Sequence, residues 1–257
     1  MSTDQDTNTV IDILKNHLGF EAERIPEAEG ERADISAWKN GDYYLFEVKS
    51  RDDHPALMEK IEKRQDYQVT GYNKELKRSN KISSILEKAS SQLVQTPKPN
   101  NEFSCVWFRA VDHFIPDEIE FIKASIFGIK HLLVSDSERK TYHIKCYYFD
   151  YNDFYCFKNI NAVVIDNGNA IHICINNHSN RITEFRNSEL YKYFSESNAL
   201  IDPDKFTKDS GILVADIDCP RNQVDKLKDH IQKRYGLQVN NIFAMKSMAG
   251  VVKGPNE

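Results

Sequence analysis

Two acids and an amine lie close together near the start of the chain: Asp34, Glu47 and Lys49, in the run from Ala33 to Lys49. Side chains alternate faces along a strand, so Glu47 and Lys49 share one face while Val48 points to the other. Asn40-Gly41 is a tight-hairpin signal, and folding the chain there lays the second strand beside the first and brings Asp34 toward Glu47. Paired carboxylates supply the hard oxygen ligands that Mg²⁺ takes one or two at a time while keeping its other positions for water and phosphate. Mn²⁺ is the alternative ion. A cation held there stabilises charge developing on phosphorus and lowers the pKa of its bound water. Lys49, a compact cation on a flexible stem, can orient that water or help to deprotonate it. The chemistry these residue types point to is phosphodiester hydrolysis. The plainer expectation is a solvated strand face on which Asp34 pairs with Lys49, an exposed ion pair worth little.

The elements that must position these residues follow from pattern. Val10, Ile11, Leu14 and Leu18 predict a helix over residues 8–18, stopped by Gly19. Short strands are expected at 20–25, 33–38 and 43–48. Residues 53–81 are charged and weakly patterned, after which Ile82, Ile85, Leu86, Ala89 and Leu93 restore helical spacing until Pro97 and Pro99. Phe103 to Val111 is β-branched and aromatic, the mark of a buried strand. The first half therefore reads αβββαβ. Beyond Pro116 the pattern predicts a helix at 117–127, strands at 130–134, 142–149, 162–165 and 170–175, and a short helix at 188–194. A strand at 212–217, an amphipathic helix at 222–235, a strand at 237–245 and a frayed tail from Gly250 complete the reading.

Composition narrows the function classes. The 257 residues carry 34 basic and 39 acidic side chains, a formal net charge of −5, with 40% apolar content. This is enough chain for one large domain or two modest ones with a real core. A whole-surface positive field is excluded, so a polyanion must be met by a local basic patch. Between Lys60 and Lys88 eight basic residues face four acidic ones, with Tyr67 and Tyr72 interleaved. From that stretch Lys60, Lys63, Arg64, Lys74, Lys77, Arg78 and Lys81 are candidate nucleic-acid contacts able to track a phosphate backbone, with a solvated helical face as the equal alternative. The five cysteines form no C-x-x-C pair, no signal peptide is visible, and no apolar run approaches the roughly 18 residues of a membrane span. A cytoplasmic protein with reduced thiols and no membrane partner is expected.

The pattern of Asp34, twelve intervening residues and then Glu47-Val48-Lys49 resembles the PD-(D/E)xK superfamily of restriction-endonuclease-like nucleases. Leu14 to Phe20 and Trp38 to Gly41 look like its archaeal Holliday-junction resolvase branch. The resemblance covers about residues 8 to 112. It implies a restriction-endonuclease-like αβββαβ core with a mixed sheet, an α/β (α+β) class, and a Mg²⁺-dependent deoxyribonuclease. In it Asp34 and Glu47 hold the metal and Lys49 positions water, in a restriction, antiphage-defence or repair role. Three departures accompany it. Ala33 replaces the usual Pro, the nearest acids in the first helix are Asp6 and Asp12 rather than a Glu, and Gln92 is followed four residues on by Thr96 where exonuclease members carry Tyr. Gln92 is thereby a candidate site residue without support for the exonuclease subtype.

DNA is the expected partner, with RNA as an alternative substrate. Residues 1–112 are expected to form the nuclease-like core, and residues 113–257 an α+β extension or second domain that selects substrate, forms a homodimer or docks a partner protein. The alternative function is a catalytically inactive nuclease-fold scaffold that binds nucleic acid or protein. No histidine falls in a zinc-ligand spacing, and His172 with Cys174 reads as a half-buried structural pair. Asn176 to Arg181 reads as a polar turn, Tyr147 to Tyr151 as core or interface, and no glycine-rich phosphate loop announces ATP or a dinucleotide.

Overall fold

The structure, a computed structural model, describes residues 4–26, 32–50, 63, 69–97, 99, 102–111, 115–207 and 210–252. The chain begins with α1 (Asp4–Asp12), which widens into a π-helical turn at Ile13–His17, earlier than the helix expected from residue 8. Strands β1 (Glu21–Arg24), β2 (Ile35–Lys39) and β3 (Asp42–Ser50) follow as an antiparallel meander. The β2–β3 hairpin turns at Asn40 and Gly41, both at positive φ (49° and 91°), the left-handed pair that an Asn-Gly turn requires. Strand β4 (Val69–Glu75) lies within a stretch read as unpatterned. Then come α2 (Asn80–Gln95) and β5 (Glu102–Arg109), which pairs parallel with β3 from Tyr43↔Glu102 to Ser50↔Arg109.

The second half supplies α3 (Ile115–Phe127), β6 (Lys130–Ser135), β7 (Thr141–Tyr147) and α4 (Asp153–Cys156). After these come β8 (Ala162–Asp166), β9 (Ile171–Ile175), α5 (Ile182–Phe185) and α6 (Glu189–Phe194). The chain closes with β10 (Leu200–Ile201), β11 (Ile212–Val214), α7 (Val224–Tyr235), β12 (Gln238–Phe243) and β13 (Lys246–Val252). The architecture is mixed α/β. A seven-stranded mixed sheet runs β1-β2-β3-β5-β8-β9-β10, a four-stranded mixed sheet runs β11-β7-β6-β12, and β4 pairs with β13 in a ribbon where fraying was expected from Gly250. The expected division at residue 112 does not coincide with a break in the main sheet, because β8, β9 and β10 extend it beyond β5.

Both faces of the main sheet are covered, which is why β5, from Phe103 to Phe108, reads as a continuous apolar run. On one face Leu45, Val106 and Val163 pack against Ile82, Leu86, Ala89 and Leu93 of α2, spaced one helical turn apart, and against Phe121 and Ile122 of α3. On the other, Phe46, Val48 and Trp107 meet Val10 and Leu14 of α1 and Phe185 and Leu190 of α5 and α6. The smaller sheet buries Leu132, Val134 and Cys146 under Leu227 and Ile231 of α7. Among the described residues no helix is long and apolar enough to cross a membrane, and all five cysteines are free.

Candidate active site

The carboxyl-terminal half of β3 carries the site. β2 pairs with β3 only as far as Ile35↔Phe46. Asp34 stands one residue outside that ladder. Its backbone N–H donates to the Phe46 carbonyl at 3.1 Å, and its Oδ2 accepts the Val48 N–H at 2.8 Å, standing in for the next strand residue. Glu47, 1% exposed, and Lys49 project from β3 toward α2. Lys49 Nζ donates to Glu47 Oε1 and, at 3.1 Å, to Oε1 of Gln92 from the last turn of α2. Gln92 Nε2 in turn donates to the Arg32 carbonyl at 3.4 Å. All four candidate residues, Asp34, Glu47, Lys49 and Gln92, thus meet in one place.

Electrostatics set the group apart from an ordinary surface pair. Burial pushes the Glu47 carboxyl up to about 8, the Asp34 charge pushes the same way, and Lys49 opposes both. Burial also raises Asp34, against the Val48 N–H and Lys49, which lower it. The two carboxyls lie close enough to share a proton, Lys49 and Arg24 both act on Asp34, and Glu47 Oε2 is buried with no donor bonded to it. A buried carboxylate oxygen left open is costly unless something else fills its coordination. That opening, beside a second carboxylate, fits a hard divalent cation with one or two protein carboxylates and water or phosphate in its remaining positions. The described residues contain no cluster of three or more His, Cys, Asp or Glu of the kind that would cage a metal entirely in protein.

Thr96, set aside in sequence as a departure from a Gln-Tyr pair, holds the site together. Its Oγ1 accepts the buried Ala33 N–H at 2.7 Å and donates to the Gln92 carbonyl at 2.8 Å. It ties the end of α2 to the residue before Asp34. The signal was present, a hydroxyl one turn after Gln92, but its partner lies 63 positions away. Asp6 of α1, the first-helix acid considered above, lies on the opposite face of the sheet, bonded to Ser50 and Arg109.

The candidate basic contacts divide. Arg78 is committed to the fully buried Asp153 through a 2.8 Å ion pair, so it holds α2 to α4 rather than facing a phosphate backbone. Lys77 pairs with Glu75 at 2.8 Å. Lys81 is exposed in the first turn of α2, eleven residues and about 16 Å along the helix from Gln92. Lys74 lies on β4 opposite Ser247, and Lys63 is exposed. Lys60 and Arg64 fall outside the described residues. Comparison of the chain with known protein families, curated proteins and solved structures finds no significant match.

Proposed function

We propose that the protein is a divalent-cation-dependent nuclease of the PD-(D/E)xK kind that hydrolyses DNA phosphodiester bonds. The observation that carries this reading is the buried Glu47 carboxylate, one oxygen without a partner, set beside Asp34 with Lys49 held between Glu47 and Gln92. Support also comes from the order of elements: an antiparallel meander, a crossover helix and a parallel strand around the strand that bears Glu47 and Lys49.

Asp34 and Glu47 are the residues that would hold Mg²⁺ or Mn²⁺. When bound, the ion supplies charge neutralisation at the phosphoryl oxygens and a water of lowered pKa. The chain's own residues do the rest. The Val48 N–H fixes one Asp34 oxygen, and the Asp34 and Glu47 carboxyls lie within hydrogen-bond reach of each other. Gln92 orients the Lys49 ammonium through its Oε1, so that a remaining N–H can donate to the attacking water or a non-bridging phosphate oxygen. Burial withholds bulk water, so these interactions are stronger than at an exposed strand face.

The test is cleavage of linear, branched, circular and single-stranded DNA, and of RNA, by the wild type and by Asp34→Ala, Glu47→Ala and Lys49→Ala, with Mg²⁺, Mn²⁺ or EDTA. Cutting that survives EDTA or the Glu47 change sinks the mechanism. The second reading, an inactive nucleic-acid or protein scaffold, has one observation in its favour: Lys49 already pairs with Glu47 directly. Calorimetry separates the two, because a scaffold has no reason to bind a divalent ion that Asp34→Ala abolishes.

A further inference from the structure

A cavity of about 390 Å³ opens between α4 and the loop joining β11 to α7, lined by Tyr151, Tyr155 and Cys156 on one side and Asp218, Cys219 and Arg221 on the other. It lies away from Glu47. Arg78 and Ser83, at the start of α2, both bond to Asp153, the neighbour of cavity-lining Asn152, whereas Gln92 sits at the other end of that helix. Nine residues separate Ser83 from Gln92, about 14 Å along the axis.

Three features of the lining and of the residues packed around it point to one kind of ligand. The first is aromatic: Tyr151 and Tyr155 are 55% and 50% exposed, unusual for large rings that border a cavity. Tyr155 is backed edge-on by His178 at 5.4 Å, and His178 by the fully buried Tyr148 at 4.8 Å, so this wall is held in place before any ligand arrives. The second is cationic. Arg221 spends one N–H on the Ala215 carbonyl at 3.2 Å and pairs with no carboxylate among the described residues. Lys158 stands 4.9 Å from the Tyr155 ring centroid, likewise without an acid partner.

The third is unspent polar capacity. His178 Nε2, Gln223 Oε1 and His230 Nε2 are buried without hydrogen-bond partners around the loop that contains Asp216 and Arg221. The Tyr148 hydroxyl is likewise unpartnered at normal geometry, with the Asn177 backbone N–H the group that approaches it. Tyr148 itself holds a left-handed φ of 59°, uncommon for a bulky residue, of a kind that collects at functional sites.

We propose that this cavity is a nucleotide site, with the base against Tyr151 and Tyr155, an amino group of the base toward Asp218, and the phosphate toward Arg221 and Lys158. Ring faces and an unpaired guanidinium together recognise a base and its phosphate without any glycine-rich loop. Exposed Lys81 in the first turn of α2 adds positive charge at this end of the helix. The site stands on the cavity and not on the nuclease reading. The nucleotide can come from two sources, a free mononucleotide or the phosphorylated end of a single strand.

The experiment uses the full chain carrying Glu47→Gln, so that no probe can be cut. Calorimetric titrations with 5′-GMP, 5′-AMP and a 5′-phosphorylated ten-residue oligodeoxynucleotide are set against guanosine and inorganic phosphate. At least one nucleotide probe should bind ten times more tightly than either guanosine or phosphate alone. Tyr155→Ala, Tyr151→Ala and Arg221→Gln should each weaken it by about tenfold or more, the scale of one stacking or charged contact. Tyr151, the most exposed of the three walls, keeps the test open if Tyr155→Ala unfolds. Binding of the mononucleotides identifies a free ligand, and binding of the oligonucleotide alone a strand end. No binding by any nucleotide probe, or binding that all three folded variants leave unchanged, overturns the proposal. Failure of the nuclease reading would show instead as absent cleavage by the wild type with this binding intact in both proteins.

Discussion

Two ionic clusters of like charge make-up lie at the end of β3, one on each face of the sheet, and only one of them leaves a carboxyl oxygen without a donor. Toward α2 stand Asp34, Glu47 and Lys49; toward α1, Asp6 of α1 and Asp166 at the end of β8 flank Arg109 at the end of β5. Each set is two acids and one base. In the second, Arg109 donates from Nε to Asp6 at 3.0 Å and from a terminal nitrogen to Asp166 at 2.8 Å. The remaining oxygens accept from Ser50 and from the Gly168 N–H, so every carboxylate oxygen of that set is bonded. In the first, Lys49 acts on both carboxyls, Glu47 Oε2 has no donor, and Glu47 is pushed up to about 8. What separates the two clusters is unfilled hydrogen-bonding capacity, since charge count and burial are alike.

The largest effect expected from this contrast is on cleavage. Glu47→Gln should lower the rate by about a thousandfold or more, the scale for removing a group that carries charge at a reacting centre. Its urea midpoint near pH 7 should not fall, because a buried carboxyl that is already largely neutral there is replaced by a neutral isostere. Rate assays and urea melts on the same preparation check both. A variant that cuts normally, or that unfolds, would make the first cluster as structural as the second.

Arg109→Met is the reciprocal. It removes the cation between Asp6 and Asp166, the latter 3% exposed, and should cost about 3 kcal/mol in chemical denaturation. Per folded molecule, divalent-ion binding at Asp34 and Glu47 should persist.

The third prediction is a pH dependence. A carboxyl whose folded pKa is raised from 4.5 to about 8 holds a proton in the folded state that the unfolded chain has released. Its neutral form therefore favours folding fully below about pH 4.5, and that contribution is lost as pH rises toward 8; Asp34, also raised, acts with the same sign. The wild type should lose stability across that window relative to Glu47→Gln. Because a divalent ion requires the carboxylate, Mg²⁺ binding at pH 7 should release close to one proton, and near pH 9 almost none. Titration calorimetry in buffers of different ionisation enthalpy reads this directly.

The same contrast explains what sequence could reveal. Asp34, Glu47 and Lys49 were legible because one Asn-Gly hairpin brings them together, and a turn of that kind has a local signature. Asp6, Arg109 and Asp166 come from three distant segments, and no spacing rule joins them. Arg78 of the basic stretch is hidden from sequence for a related reason. Arg78 reads as a surface cation until Asp153, 75 positions later, is seen to bury against it. Most strands of the second half followed from apolar alternation, but that pattern could not say that β8 and β9 join the sheet of the first half, since pairing across β5 depends on partners rather than on local propensity. β4 and β13 were missed because their sequences carry little apolar periodicity, and each is ordered by pairing with the other.

The smallest expected effect separates a residue that positions the first cluster from one that merely fills space beside it. Thr96→Val keeps the shape but removes the acceptor of the buried Ala33 N–H, and an unpaired buried donor costs about 1–3 kcal/mol. A purely structural role ends there: the melt shifts, and the folded variant cuts with the kcat of the wild type. A positioning role goes further, because Thr96 also bonds to the Gln92 carbonyl and thus links the residue before Asp34 to the helix turn that orients Lys49. In that case kcat falls by severalfold at saturating Mg²⁺ with KM for DNA little changed, and Thr96→Ser, which keeps the hydroxyl, restores most of it. Restoration of stability by Ser without restoration of kcat would assign the threonine to the fold and leave Gln92 alone to set the lysine.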